Sequence, residues 1–210
     1  MIPGIDLTEL IRSAGPAVYL LPLIIFAETG LMIGFFLPGD SMLFTAGSLA
    51  GLNIIDINIS ILCCLFFICA ILGNSTGYFI GLRFGRKLFT KNDSKIFKQK
   101  YIIQTEEFYK KHGAAAVILA QFMPIIRTFC PVVTGISKME YLRFIIFNII
   151  GAFFWTVGIT LIGYFSFKIF GQVINPEDID KYLLPLIILI IFISISPAII
   201  KLLHHKLAKK

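Results

Sequence analysis

Three ionisable residues stand in sequence that is otherwise apolar enough to enter a bilayer. Glu28 and Asp40 lie in FAETGLMIGFFLPGDSMLFTAG, Phe26 to Gly47, and Arg127 lies in AQFMPIIRTFCPVVTG, Ala120 to Gly135. Left alone in lipid, three such groups cost about 8–10 kcal/mol, so they must pair, face water or perform a task. Arginine carries a permanent cation and a forked set of donors that fits phosphate or carboxylate. Both stretches are broken by proline, at Pro38-Gly39 in the first and at Pro124 and Pro131 in the second. A broken helix aims backbone N–H groups and a positive dipole end into the membrane. Ser41 and Thr128 follow the breaks and are placed to cap the arms that start there. Two such ends meeting around Arg127 would make an anion site. Glu28 and Asp40 would balance its charge, and either acid is a candidate to exchange a proton, as a proton-coupled carrier requires. The plainer alternative is a buried ion pair that only fixes the two stretches.

Other chemistry finds little support. His112, His204 and His205 lie in basic segments, and neither HExxH nor GxSxG is present. The four cysteines, Cys63, Cys64, Cys69 and Cys130, have no CxxC spacing and read as small core hydrophobes. No metal site, cofactor or catalytic residue is expected, and the chain is not expected to be an enzyme.

The elements that must position these residues are helices in a membrane. Of 210 residues 57% are hydrophobic, and the mean hydropathy is +0.87; soluble domains sit nearer 45–50%. The net charge of +7 belongs to loops and the C-terminus, where cytoplasmic placement explains it without nucleic acid. No cleavable signal peptide is expected at MIPGIDLTEL. Residues 1–18 read as an interfacial segment. Residues 19–52 read as a re-entrant hairpin with its tip at Pro38-Gly39-Asp40: the first arm reaches about 28 Å and the second only about 18 Å, against a hydrocarbon core of about 30 Å. Residues 57–82 hold no charge and read as a transmembrane helix, with Gly73, Gly77 and Gly81 on one face for close helix packing. Asn74, Ser75 and Thr76 beside them read first as packing residues and second as site lining.

Residues 83–112 form a basic loop with an amphipathic helix, nine cations against three anions. Residues 113–137 read as a second re-entrant hairpin, tipped between Pro124 and Pro131. Residues 144–167, which contain Trp155, and 182–200 read as further transmembrane helices, and 201–210 as a basic tail. Charge bias places the basic loop and the C-terminus in the cytoplasm. The hairpins then open to opposite sides, so the fold expected is an all-α inverted repeat of two hairpins, each followed by a transmembrane helix, plus a C-terminal helix.

Between Leu20 and Phe170 the residues resemble the DedA family, also called SNARE-associated or VTT-domain proteins. The resemblance rests on Glu28, Pro38-Gly39-Asp40, Ala46-Gly47, Gly73, Gly77-Tyr78, Gly81 and His112-Gly113. It continues through Phe122, Pro124, Arg127, Gly135, Phe144, Asn148, Gly151 and Trp155. It implies lipid translocation in the bacterial cytoplasmic membrane. Bacterial members include transporters that recycle undecaprenyl phosphate, eukaryotic relatives scramble phospholipids, and several members are described as proton-coupled. The family's essential acids fall on Glu28 and Asp40, and one of its arginines on Arg127. Members often have a second arginine where this chain has Gln121, which can still donate hydrogen bonds to phosphate. The partners implied are membrane lipids, a polyprenyl phosphate first, and protons. A phospholipid scramblase and a proton-dependent antiporter of small solutes are the near alternatives. A membrane lipid phosphatase and a structural assembly protein are the distant ones.

Overall fold

A computed structural model describes residues 20–31, 39–55, 57–84 and 99–173. The expected interfacial segment 1–18, the tip residue Pro38, the helix 182–200 and the tail 201–210 lie outside these residues, as do residues 85–98 of the basic loop.

All regular structure among the described residues is helical. Helix α1 is Leu21–Gly30, α2 is Gly39–Gly51, α3 is Ile59–Phe84 and α4 is Gln99–His112. A 3-10 turn at Gly113–Ala115 leads to α5, Ala116–Ala120; then come α6, Pro124–Ile136, and α7, Tyr141–Ala152. A π-helical turn, Phe153–Val157, joins α7 to α8, Gly158–Val173. Two helical stretches are long and apolar enough to cross a membrane, Ile59–Phe84 and Tyr141–Ile169. At 1.5 Å per residue they reach about 39 and 43 Å, more than the hydrocarbon core needs. The chain is an all-α membrane protein.

The interruptions differ from those expected. The first arm is interrupted after Gly30, because Leu31 turns to extended backbone (φ −104°, ψ 122°). Helix α1 is therefore about 15 Å long. In the second stretch the break is at residues 121–123, where Ile103–Ala120 and Pro124–Ile136 are bent by 118°. Pro124 does not interrupt a helix but starts one, where its missing N–H is no loss. Pro131 is not a tip residue either; it sits inside α6, which runs on unbroken to Ile136. Arg127 thus lies in a helix rather than in a loop.

Helices α2 and α6 are built alike. Each has 13 residues, and each is closed by a non-glycine residue in the left-handed region, Asn53 (φ 55°) or Lys138 (φ 54°). After α2, Leu52 N–H donates to Ser48, Asn53 to Ala50 and Ile54 to Leu49. After α6, Ser137 donates to Val133, Lys138 to Gly135 and Met139 to Thr134. The two sets coincide after a shift of about 85 residues, a repeat in hydrogen bonding where the sequence shows only an echo. Each helix then leads into a long span. The first of these starts with Asn58, whose side chain accepts the Ser60 N–H at 2.8 Å.

The two halves interlock. Helix α2 packs on α8, and α6 packs on α3. Both seams are backbone to backbone. A Cβ on Gly47 would meet the Thr160 carbonyl, one on Gly51 that of Tyr164, and one on Gly163 that of Phe44. In the other seam a Cβ on Gly81 would meet the Val132 carbonyl and one on Gly135 that of Tyr78, while Gly77 faces Pro131. Gly73 lies against Gly30 and Thr29 of α1. Helix α4 lays Phe108 and Tyr109 on Ile126, Cys130 and their neighbours and keeps Lys110 and Lys111 exposed. Cys63 and Cys130 are buried, Cys64 is exposed, and all four cysteines are free thiols.

Candidate functional site

The site forms where α1, α2, α6 and the π turn converge. Glu28 lies near the end of α1, in the turn whose carbonyls lack a helical successor once the chain extends at Leu31. Gly39 opens α2, and any side chain there would collide with the Glu28 carboxylate. Asp40 follows in the first turn of α2, where its charge suits the positive end of the helix. Arg127 lies in the first turn of α6, where the helix end opposes its charge and the two acids offset that opposition.

Arg127 joins both acids at once. Its Nη2 bonds Glu28 Oε1, and its Nη1 donates to Asp40 Oδ1 at 2.8 Å and to the Gln121 carbonyl at 3.2 Å. The guanidinium carbon lies 4.1 Å from the centre of the Trp155 ring, a stacking that favours a cation over an aromatic face. The Trp155 indole Nε1 donates to the same Asp40 oxygen at 2.7 Å. The acids are unequal: the Glu28 side chain is 2% exposed and the Asp40 side chain 49%. Two buried polar atoms here have no partner, Glu28 Oε2 and Arg127 Nε. Nε and Nη2 share one edge of the guanidinium, so the edge best suited to a two-point grip on an oxyanion is half used.

Beneath the ion pairs lies a chain of amides. Asn148 Oδ1 accepts from Asn74 Nδ2 at 2.7 Å and from Gln121 Nε2 at 3.4 Å, and Asn148 Nδ2 reaches the Ile71 carbonyl at 3.4 Å. All three amide side chains are buried. Gly151 makes room for Gln121, since a Cβ there would come within 2.9 Å of Gln121 Cγ.

The structure thus brings Glu28, Asp40, Arg127, Gln121 and Gly39 together and adds Trp155, with Asn148 and Asn74 behind. Two expected roles fail. Ser41 does not cap α2, because it already lies inside the first turn, two residues after Gly39. Thr128 does not cap α6, because its hydroxyl bonds back to the Pro124 carbonyl at 3.2 Å within the helix. The expected donor on Gln121 is also engaged, since its amide nitrogen faces Asn148 and it is the main-chain carbonyl that meets Arg127. From the residues alone Trp155 and Asn148 read as parts of an apolar span. The available signal was a single indole N–H and a lone side-chain amide in a stretch without charges, each needing a buried partner. Among the described residues no group of three His, Cys, Asp or Glu side chains is placed to hold a metal ion.

Comparison with known proteins places the chain in a family. The VTT domain model matches residues 37–165. Protein DedA of Escherichia coli K12 is 45% identical over 205 residues, covering 97% of this chain and 90% of that protein. An uncharacterized membrane protein of Mycobacterium tuberculosis is 40% identical over 178 residues, covering 85% and 75%. Inner membrane protein YqjA of Escherichia coli K12 is 30% identical over 150 residues, covering 71% and 67%. No solved structure matches the chain. With the family's model spanning more than half the sequence and DedA matched over nearly all of it, the chain belongs to the DedA family of VTT-domain membrane proteins.

Proposed function

We propose that the chain is a proton-coupled lipid translocase of the bacterial cytoplasmic membrane that carries a polyprenyl phosphate, such as undecaprenyl phosphate. The observation that carries the reading is Arg127, buried and gripped by acids from two separate helices. A guanidinium held by two carboxylates leaves one surplus negative charge when both acids are ionised. A phosphate enters such a site only as an acid lets go of the arginine, and an acid that has lost its cation takes up a proton more readily than one that keeps it. Substrate and proton are thereby linked through Arg127, whichever binds first. The inner-membrane location rests on the relatives, one of which is named an inner membrane protein.

In this reading the segments 19–52 and 113–137 are two re-entrant hairpins of opposite orientation, with the basic loop 83–112 and the C-terminus cytoplasmic. The matching closures of α2 and α6 favour such a repeat. The isoprenyl tail stays in lipid while the head group visits Arg127, so the site opens sideways between helices.

The test is reconstitution of purified protein in liposomes, following undecaprenyl phosphate across the bilayer. The wild type should move it, and folded Arg127→Ala and Glu28→Gln variants should not. Loading should strengthen as pH falls, because protonated acids release the arginine. Wild type that remains folded yet moves no phosphate lipid would sink the reading. Movement of labelled phospholipid would then point to scrambling, a small-ion flux to antiport, and phosphate release from labelled lipid to a phosphatase.

A further inference from the structure

Asp40 is held in an unusual way for a half-exposed acid. One oxygen, Oδ1, accepts two hydrogen bonds from different elements, 2.8 Å from Arg127 Nη1 and 2.7 Å from Trp155 Nε1. Arg127 Nε, buried and without a partner, is a third donor on the same cation. The indole is wholly buried, and an indole N–H is a donor only, so it must meet an acceptor wherever Asp40 goes. Trp155 sits in the π turn, and such turns in long helices tend to mark functional positions. Phe153 and Phe154 face outward there, while Trp155 and Thr156 face inward.

We infer that Trp155 is a ligand of the substrate anion: its indole N–H and Arg127 Nη1 form a two-donor cradle that Asp40 fills in the empty carrier and that an oxygen of a phosphate monoester fills in the loaded one. The inference rests on the translocase reading and supplies its ligand set. Asp40 is the acid that leaves, because it is half open to the surroundings; Glu28, enclosed, stays on Nη2. The cradle suits a phosphate because a tetrahedral monoester that seats one oxygen between the two donors still keeps its other oxygens facing outward. Asp40 is then an internal competitor for the substrate's place.

Trp155 is the only tryptophan in the chain, so the intrinsic fluorescence of the whole protein reports on this one side chain. Purified wild type in lipid nanodiscs would be titrated with geranyl monophosphate, with inorganic phosphate and geraniol as parallel probes. The phosphate ester should shift the emission saturably, inorganic phosphate should do so only at higher concentration, and geraniol should not. Asp40→Asn, a weaker competitor, should lower the half-saturating concentration severalfold. In the liposome assay Trp155→Phe keeps a ring over the guanidinium and loses the donor. Its KM for phosphate lipid should rise about tenfold with little change in kcat, as expected for a lost hydrogen bond to a charged group.

Transport by wild type with an emission spectrum indifferent to geranyl monophosphate would overturn the role of Trp155 and leave the translocase reading standing. So would an unchanged KM in folded Trp155→Phe. A saturable emission shift in a protein that transports no phosphate lipid would keep the cradle and remove the translocase. A response to inorganic phosphate stronger than to the ester would assign the cradle to a free anion and overturn the lipid assignment. If Trp155→Phe does not fold, the wild-type titration still decides.

Discussion

Arg127 is shared by two acids of unequal exposure, so the three residues should answer differently to removal. Arg127→Ala leaves two carboxylates without their cation, one of them enclosed, and should lower stability by about 3–5 kcal/mol. That loss would mimic loss of function even if the ion pair were only a folding device. The double variant Arg127→Met/Glu28→Gln separates the two explanations, because it removes the enclosed charge with the cation. It should regain most of the melting temperature in detergent while remaining inactive in liposomes. Recovered activity would mean that the charges only hold the fold. Arg127→Lys keeps the cation but loses the fork, and it should fold yet lose at least about tenfold in transport. The acids and the arginine were legible because a charge in an apolar run demands an explanation. Trp155 and Asn148 were not, because an indole and an amide inside a span look like packing until their partners are seen. Neither were the failed caps at Ser41 and Thr128, whose role depends on where the helix begins to within one residue.

At the scale of the element, proline was the misleading signal. It marks a break from one side only: Pro124 follows the bend and starts α6, and Pro131 sits inside α6 without ending it. The glycine spacing was more informative. Gly73, Gly77 and Gly81 face α1 and α6, and the same spacing in Gly47 and Gly51 marks the seam with α8 that the hairpin reading passed over. Substitutions along these helices should therefore divide by what the new side chain meets. Gly47→Leu and Gly81→Leu must push carbonyl-bearing backbone apart and should abolish recovery of folded protein. Gly158→Ala meets open space at the start of α8 and should be neutral or stabilising by about 0.5–1 kcal/mol. Thermal unfolding of the purified variants checks both, and a destabilised Gly158→Ala would mean that the helix after the π turn must flex there.

For the whole molecule, the two long spans among the described residues were readable from charge-free length. Their mutual arrangement was not, because the halves pack crosswise. Helix α2 belongs to the first half and lies on α8 of the second, while α6 of the second lies on α3 of the first. Two fragments divided within 85–98 should consequently be unstable alone and recover as a pair when made together, which co-purification through a tag on one fragment would show. The shared arginine also has a consequence for biogenesis. Arg127 follows Asp40 by 87 residues and Glu28 by 99. At synthesis rates of about 5–20 residues per second, both acids leave the ribosome roughly 4–20 s before the cation that neutralises them. During that interval the first arm of the nascent chain has no partner for its charges in lipid. Membrane integration should thus stall at the surface until the stretch that carries Arg127 emerges. Chains arrested before Arg127 should leave a cysteine placed beside Asp40 open to water-soluble alkylating reagents, and chains arrested well beyond it should protect that cysteine.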